Sequence, residues 1–315
     1  MEQRTPDTDF KIFCAIVFFL ILPMILTLGT VNVPREFVTA ENSSPYGYTW
    51  SLTIFILPVI AFATWFIRHP KFHVQRKAFW FTIIIYTIAG LVLDIGLGNT
   101  FFTFPNADAT LRIHLPGWSF EQGRFLFNVP IEEFGFYFFG SLFMLLCYIW
   151  LDLYWFGAYS LDRELESQKL EKLVSPHLHS AVWAVVLIVL GFIYKKLGPH
   201  PEGFPGYFTI LVIGYAGPAF VFFRVVKPFV NWRAFSITLT TMWMLSLVYE
   251  ATLGLPYQWW GYKTEQMLGL FIGGWTNLPI EEPLLWSAAG WGMVLVYELA
   301  QIWLHKRQQQ TVAPA

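Results

Sequence analysis

The chain has 315 residues, of which 56% are hydrophobic and 13% charged, and its mean hydropathy is +0.50. This composition excludes an ordinary water-soluble protein and indicates a membrane protein, with lipids as its surroundings. Twenty Lys and Arg stand against 21 Asp and Glu, so no basic excess exists to neutralise phosphates, and nucleic acid is excluded as a main partner.

Apolar stretches long enough to cross a bilayer recur along the whole chain, since a spanning helix needs about 20 predominantly apolar residues. The eight candidates are approximately residues 11–30, 49–67, 78–97, 131–155, 177–195, 207–226, 233–253 and 281–304. The first is too long for a signal peptide and lacks a small-residue cleavage pattern, so we expect it to remain as a helix. The sequence therefore predicts an all-α integral membrane protein with about eight transmembrane helices.

Lys and Arg are distributed unevenly between the loops that these spans define. With eight spans, fourteen of these residues lie on the side that holds both termini, and six lie on the other side. Because cytoplasmic loops gather Lys and Arg, we expect a multi-pass cell-membrane protein with both termini in the cytoplasm.

The chain contains an internal repeat. A shift of 156 residues places 53–98 on 209–254 without a gap, and a shift of 149 places the Asn-Val-Pro-Ile-Glu-Glu segment 128–133 on the Asn-Leu-Pro-Ile-Glu-Glu segment 277–282. Each copy carries four spans, an even number, so both copies run in the same direction about an axis along the membrane normal. The sequence thus predicts two tandem, parallel four-helix repeats.

The repeat divides the chain into four parts. We predict a first repeat at 1–156, a charged cytoplasmic linker at 157–176, a second repeat at 177–307 and a disordered tail at 308–315.

Six carboxyl groups near the outer ends of the spans form one pattern twice, and ionisable groups at this depth are costly and indicate function by default. One acid ends the third span and another ends the seventh, and a Glu-Glu pair opens the fourth span and the eighth. These residues are Asp94, Glu132, Glu133, Glu250, Glu281 and Glu282. All six are expected at similar depth near one membrane face, where they are candidates for acid-base chemistry.

A purely structural interpretation of the Glu pairs is also available. Asn-x-Pro-x-Glu-Glu is a favourable helix start, with Asn near the cap and acids stabilised by the helix dipole. That interpretation leaves the acid that ends the preceding span in each copy unexplained. Adjacent helical residues point about 100° apart, so at most one Glu of each pair can face a shared cavity squarely.

Aromatic residues cluster beside these carboxyl groups. Most aromatic side chains in such a protein face lipid or form interfacial belts, but ring faces also stabilise a passing cation. The candidates for contact with substrate are Trp118, Phe134, Tyr137, Trp259, Trp275 and Trp286. Carboxylic acids and aromatic faces in a water-poor cavity suit protonation of an alkene and control of the resulting carbocation.

Several cofactor and metal motifs are missing from the sequence. It has no His-Glu-x-x-His zinc motif, no phosphate-binding Gly-x-x-x-x-Gly-Lys loop, no Gly-x-Ser-x-Gly elbow and no dinucleotide Gly-x-Gly-x-x-Gly motif. We therefore expect neither a metal nor an organic cofactor. Glu-Glu-x-x-x-Arg intramembrane proteases are excluded as well, because neither Glu pair has the required Arg.

The two copies, each with an acid at a span end followed by Pro-x-Glu-Glu, resemble the membrane-integral carotenoid cyclases of the heterodimer and fused types. The resemblance covers essentially the whole chain as a fused two-unit form. Its sharpest motifs are Pro130-Ile131-Glu132-Glu133-Phe134 and Pro279-Ile280-Glu281-Glu282, the second of which continues with Pro283 in place of Phe.

The resemblance implies a lycopene cyclase that needs no flavin or nicotinamide and takes its polyene substrate from the bilayer, with other enzymes of carotenoid synthesis as partners. A carboxylic acid would protonate a linear ψ end, and a carboxylate would remove a proton after ring closure to leave a cyclic, most simply β, end group. By position, the resemblance gives the four Glu of the two pairs as acid and base, and Asp94 and Glu250 as proton-relay or orienting groups.

Three alternatives stay open at this stage. Relatives of this type also cyclise C50 or other carotenoid precursors. A proton-coupled transporter can combine parallel repeats with intramembrane acids, but it requires a polar path to both membrane faces. A structural subunit would result if the Glu pairs served only as helix caps.

Overall fold

The structure, a computed structural model, describes residues 7, 9–15, 18, 45–69, 74–160, 170–198, 201–272 and 278–312. This part of the chain is mostly helical and contains seven helices of 18 residues or more. They are α1 (Gly47–Arg68), α2 (Arg76–Leu93), α3 (Glu132–Trp150), α4 (Leu178–Leu197), α5 (Gly206–Val226), α6 (Trp232–Tyr249) and α7 (Glu281–Val312).

Five helices are long and apolar enough to cross a membrane, which agrees with a membrane protein. They are α1, α2 with its continuation to Phe101, α3 with its continuation to Trp155, α4 and α5. Helices α6 and α7 occupy the predicted seventh and eighth spans but are less apolar than these five. The predicted first span lies outside the described residues, apart from helical residues 11–15 and 18.

Helices α3 and α7 lie at the centre of the bundle. Both α2 and α6 contact each of them, α1 packs on α3, α5 packs on α7, and α4 packs on α5. The main apolar core lies between these helices and includes Phe79, Leu145, Phe235 and Met293, all at most 1% exposed. The central position of α3 and α7 places their first turns, which carry the Glu pairs, in the interior.

A π-helical turn continues each of α2 and α6, and in both cases its first residue is one of the predicted acids. The turns are Asp94–Gly98 and Glu250–Gly254. Such turns widen the helix locally and are frequent at functional sites. Both acids are almost fully buried, at 1% and 2% exposure.

Short antiparallel strands cover the end of the bundle at which the acids lie, and the all-α prediction missed them. Strands β2 (His114–Ser119) and β3 (Arg124–Pro130) form a hairpin within one loop, and β5 (Phe271–Ile272) pairs with β6 (Leu278–Pro279) in another. The pairing of β1 (Phe102–Thr103) with β4 (Gly261–Tyr262) joins the loop after α2 to the loop after α6.

A buried polar network ties the helices together at the opposite end of the bundle. The Tyr148 hydroxyl donates to Glu298 at 2.7 Å and accepts from the backbone N–H of Asn231 at 3.2 Å. The Asn231 side chain donates to Asp152 at 2.9 Å and accepts from the backbone N–H of Ala234, so it caps α6. Hydrogen bonding of this kind is what allows buried carboxylates to be tolerated.

Helix α7 is longer than a single span requires. Its 32 residues correspond to about 48 Å at 1.5 Å per residue. It ends at Val312, so the backbone of 308–312 is helical where the sequence predicted a disordered tail.

Candidate functional site

Four carboxyl groups line one small cavity at the strand-covered end of the bundle. Asp94 and Glu133 come from the first half of the chain, and Glu250 and Glu282 come from the second half. The cavity has a volume of about 30 Å³, enough for roughly two water molecules at about 10–15 Å³ each. The structure therefore brings together four of the six predicted carboxyl groups.

A tyrosine at the start of a helix contacts the second Glu of each pair. The Tyr48 hydroxyl donates to Glu133 Oε1 at 2.9 Å, and the Tyr207 hydroxyl donates to Glu282 Oε1 at 3.3 Å. Each tyrosine is the second residue of its helix, follows a glycine and is at most 1% exposed. Because the two contacts are alike, each half of the chain orients one cavity-facing Glu in the same way.

The acids of the two π-helical turns have different partners. Asp94 Oδ1 accepts from the Tyr137 hydroxyl at 3.0 Å, whereas Asp94 Oδ2 is buried and accepts no hydrogen bond from the part of the chain that the structure describes. Glu250 Oε2 accepts from the indole N–H of Trp260 at 2.7 Å and from the Tyr262 hydroxyl at 3.4 Å. Asp94 therefore keeps an oxygen for another proton or donor, while one oxygen of Glu250 is held from two sides.

Tyr262 lies in β4, outside the helices, and keeps its proton. Burial, together with the nearby carboxyl groups of Glu282 and Glu250, raises the pKa of Tyr262 well above its usual value. At neutral pH the side chain is therefore a hydroxyl that can donate to a carboxylate.

Among the described residues, no positive side chain lines the cavity to balance its acids. The described residues that line it include no Lys, Arg or His; besides the four acids they are tyrosine, tryptophan, phenylalanine and leucine. Like charges at short distance in a water-poor site disfavour joint ionisation. The cluster can therefore hold protonated acid and carboxylate side by side, the combination that acid-base catalysis uses.

Glu132 and Glu281, the first residue of each pair, point away from this cavity and hold the covering loops. Glu132 Oε1 accepts from the backbone N–H of Leu111 at 2.7 Å and from the Thr49 hydroxyl. Glu281 Oε1 accepts from the backbone N–H of Leu268 at 2.5 Å. The structure thus separates the two members of each pair, as their angular offset on a helix requires.

We expect Glu281→Ala to lower the free energy of unfolding by about 1–3 kcal/mol, because the buried N–H of Leu268 loses its acceptor. Glu281→Gln keeps a carbonyl oxygen at that place and should retain most of the stability. Thermal unfolding of the detergent-solubilised protein measures both. Equal unfolding temperatures for the Ala variant and the parent would contradict the assigned loop-holding role.

The structure does not bring all six predicted aromatic residues to the cavity. Tyr137 lines it, whereas Phe134 is 43% exposed and stacks on Phe138. Trp118 lies in β2 against Phe125 and is not among the lining residues. Phe134 and Trp118 therefore lie outside the lining of this cavity.

The other three predicted aromatic residues have different positions. Trp259 is buried and stacks on Tyr48 with ring centroids 5.5 Å apart, so it packs against a side chain that lines the cavity. Trp286 is buried and packs edge-to-face with Phe136, with ring centroids 5.1 Å apart. Trp275 lies outside the described residues.

Sequence reasoning missed the residues that orient the acids. Tyr48 and Tyr207 were not selected, although the Gly-Tyr pair at the start of α1 recurs at the start of α5 and could have indicated them. Tyr262 was missed as well, since a tyrosine in a loop carries no distinguishing pattern. Asn128, expected near the helix cap, instead donates to Asn99 at 2.6 Å, and none of the described side chains caps α3.

Comparison of the chain with family models, with curated protein sequences and with solved structures found no match.

Proposed function

We propose that this protein is a carotenoid cyclase, which converts the linear ψ ends of lycopene to cyclic β end groups without net oxidation or reduction. The observation that carries the proposal is the cavity shared by Asp94, Glu133, Glu250 and Glu282, with no positive side chain among its described lining residues. Cyclisation requires one acid and one base within reach of the same end group, and a mixed cluster of carboxyl groups supplies both.

The reaction balances without a further reactant. A protonated carboxyl adds its proton to C2 of the ψ end, which leaves a cation at C1. The C5–C6 double bond attacks C1 and forms the ring bond, so the cation moves to C5. A carboxylate then removes the proton from C6, and the C5–C6 double bond of a β ring forms. The mass of the product equals that of the substrate, and the cluster returns to its starting charge.

The surroundings of the cluster suit a cationic intermediate. Phe102, Phe104 and Phe136 line the cavity together with Tyr137 and Trp260. Aromatic faces attract cations, and their contribution is greatest where water is excluded. The same apolar surroundings limit capture of the cation by water, which would give an alcohol in place of a ring.

The proposal includes two parallel repeats of four spans each, with both termini in the cytoplasm. Features at matching positions support the repeats. The π-helical turns of Asp94 and Glu250 are 156 residues apart. The short 3-10 helices Ala107–Ala109 and Thr264–Gln266 are 157 residues apart, each within a covering loop. Glu132 and Glu281 each bind a backbone N–H of the loop that precedes their helix.

Expression of the chain in a bacterial host that accumulates lycopene tests the proposed activity. We expect cyclic carotenoid of unchanged mass, identified by chromatography and mass spectrometry. The matched control is the Glu133→Gln/Glu282→Gln double variant, which should leave lycopene unchanged. Linear lycopene alone, beside a well-expressed and folded parent protein, would overturn the proposal for this substrate and favour a longer carotenoid precursor or proton-coupled transport.

A further inference from the structure

Two apolar clefts flank the carboxyl cavity, one on each side of the central helices α3 and α7. The α2–α5 cleft lies between α2 and α5 and has a volume of about 440 Å³. The α1–α6 cleft lies between α1 and α6 and has a volume of about 70 Å³. Phe136, Gly140 and Trp286 line both clefts, so the two clefts meet beneath the carboxyl groups.

We propose that the α2–α5 cleft is the binding site for the linear polyene, and that the end groups of the substrate reach the carboxyl cavity through this cleft and not through the α1–α6 cleft. The identity of the ligand as a polyene rests on the proposed function. The assignment of the access route rests on the shape and lining of the two clefts.

The α2–α5 cleft adjoins the carboxyl cavity, and so does the smaller α1–α6 cleft. Tyr137, Leu285 and Phe136 line the cavity and the α2–α5 cleft, whereas Glu250 and Phe136 line the cavity and the α1–α6 cleft. The Tyr137 hydroxyl donates to Asp94, so the inner end of the α2–α5 cleft lies beside an acid with one oxygen that accepts no hydrogen bond from the described residues. An apolar chain that fills the cleft therefore has its end next to a potential proton donor.

The outer end of the same cleft opens on the surface that faces lipid. Ile85, Ala89 and Gly214 line the cleft and are exposed on the outer surface of α2 and α5. A ligand dissolved among the acyl chains can therefore enter from the side, between the helices. It does not have to pass through water, and transfer of an apolar polyene into water is strongly unfavourable.

Side-chain size explains why the two clefts differ, although the helices around them match. In the sequence repeat, Ala89 of α2 corresponds to Leu245 of α6, and Gly90 corresponds to Ser246. Leu245 and Ser246 line the α1–α6 cleft, and Ala89 and Gly90 line the α2–α5 cleft. The larger side chains leave the second cleft well below the roughly 300–1,000 Å³ that small-molecule sites usually have.

Variants that fill one cleft or the other test the route. We expect Ala89→Leu to lower the amount of lycopene that copurifies with the Glu282→Gln protein by about tenfold or more, because the new side chain occupies the space of the ligand. Leu245→Phe fills the other cleft and should leave lycopene retention unchanged. Visible absorbance of the purified protein, per mole of protein, measures the retained polyene.

A pair of glycine variants on α5 controls for folding. A Cβ on Gly214 has only the Cβ of Ala288 near it, at 3.9 Å, and a longer side chain would extend into the α2–α5 cleft. A Cβ on Gly217 meets nothing within 4 Å. Gly214→Leu should therefore lower lycopene retention as Ala89→Leu does. Gly217→Leu should retain as much lycopene as the Glu282→Gln protein without a further substitution.

The outcomes separate the access route from the activity. Cyclic product from the parent, with retention lost in Leu245→Phe and kept in Ala89→Leu and Gly214→Leu, would overturn the route and leave the activity standing. Retention lost in Ala89→Leu and Gly214→Leu, without cyclic product from the parent, would support the route and overturn the activity. A Glu282→Gln protein that retains no lycopene would overturn the route.

Discussion

Glu282→Gln is expected to lower the rate of cyclisation by about 10²–10⁴-fold, the usual contribution of a positioned acid or base. Glutamine keeps the size of the side chain and an oxygen that can accept from the Tyr207 hydroxyl. It cannot exchange a proton as a carboxyl group does, so the chemistry fails while the packing survives. Pigment analysis in the lycopene-accumulating host, normalised to the amount of folded protein, measures the effect.

Glu265→Gln is the matched control for this substitution. Glu265 lies in the loop between α6 and α7 and its side chain is exposed, so the same change of charge should leave cyclisation unaltered. Loss of activity in Glu265→Gln equal to that in Glu282→Gln would point to a general effect of charge. Full activity in Glu282→Gln would remove this residue from the reaction.

Gly254→Ala is expected to disrupt the site through packing alone. A Cβ at this position would overlap Cζ2 of Trp260, a rigid ring whose N–H donates to Glu250. Either the ring or the π-helical turn must move, at a cost of about 1–3 kcal/mol for overpacking. We expect a lower unfolding temperature and, because Glu250 loses its orientation, a lower yield of cyclic product.

The predicted repeat supplies the control for this variant. Gly98 corresponds to Gly254 in the first half, but a Cβ there would only approach Asp94 and Val129 at ordinary contact distances of 3.7–3.9 Å. Gly98→Ala should therefore change neither the unfolding temperature nor the product yield by a comparable amount. Equal effects of the two variants would show that the π-helical turn itself, and not the contact with Trp260, determines the outcome.

The helices could be predicted from the sequence because their apolar stretches are long and separated by charged loops. The boundaries of α1, α4 and α5 lie within a few residues of the predicted spans. The short strands were missed, since two-residue pairs such as β1 and β4 depend on the approach of two distant loops and carry no local pattern. Local pattern also failed at 308–312, where α7 continues.

The carboxyl groups of the site could be located by sequence because they are exceptional in apolar surroundings. The sequence does not show which of them line the cavity and which hold the covering loops. Glu132 and Glu133 are chemically identical neighbours that differ in their partners. The backbone N–H of Leu111 and the Thr49 hydroxyl donate to Glu132, whereas the Tyr48 hydroxyl donates to Glu133. Phe134 and Tyr137 likewise could not be told apart by sequence, because the helices that pack against α3 determine which of its faces lines the cavity. These are tertiary contacts, and periodicity alone does not specify them.

The strand pair β1–β4 has a consequence for the speed of a catalytic cycle. It connects the loops of the two halves directly over the carboxyl groups, with Phe102 and Tyr262 both paired with each other and lining the cavity. The product of the proposed cyclisation is too apolar for water and is covered on that side, so we expect it to leave between helices, into the acyl chains. We therefore expect turnover to depend on the fluidity of the surrounding lipid more than on the viscosity of the aqueous medium.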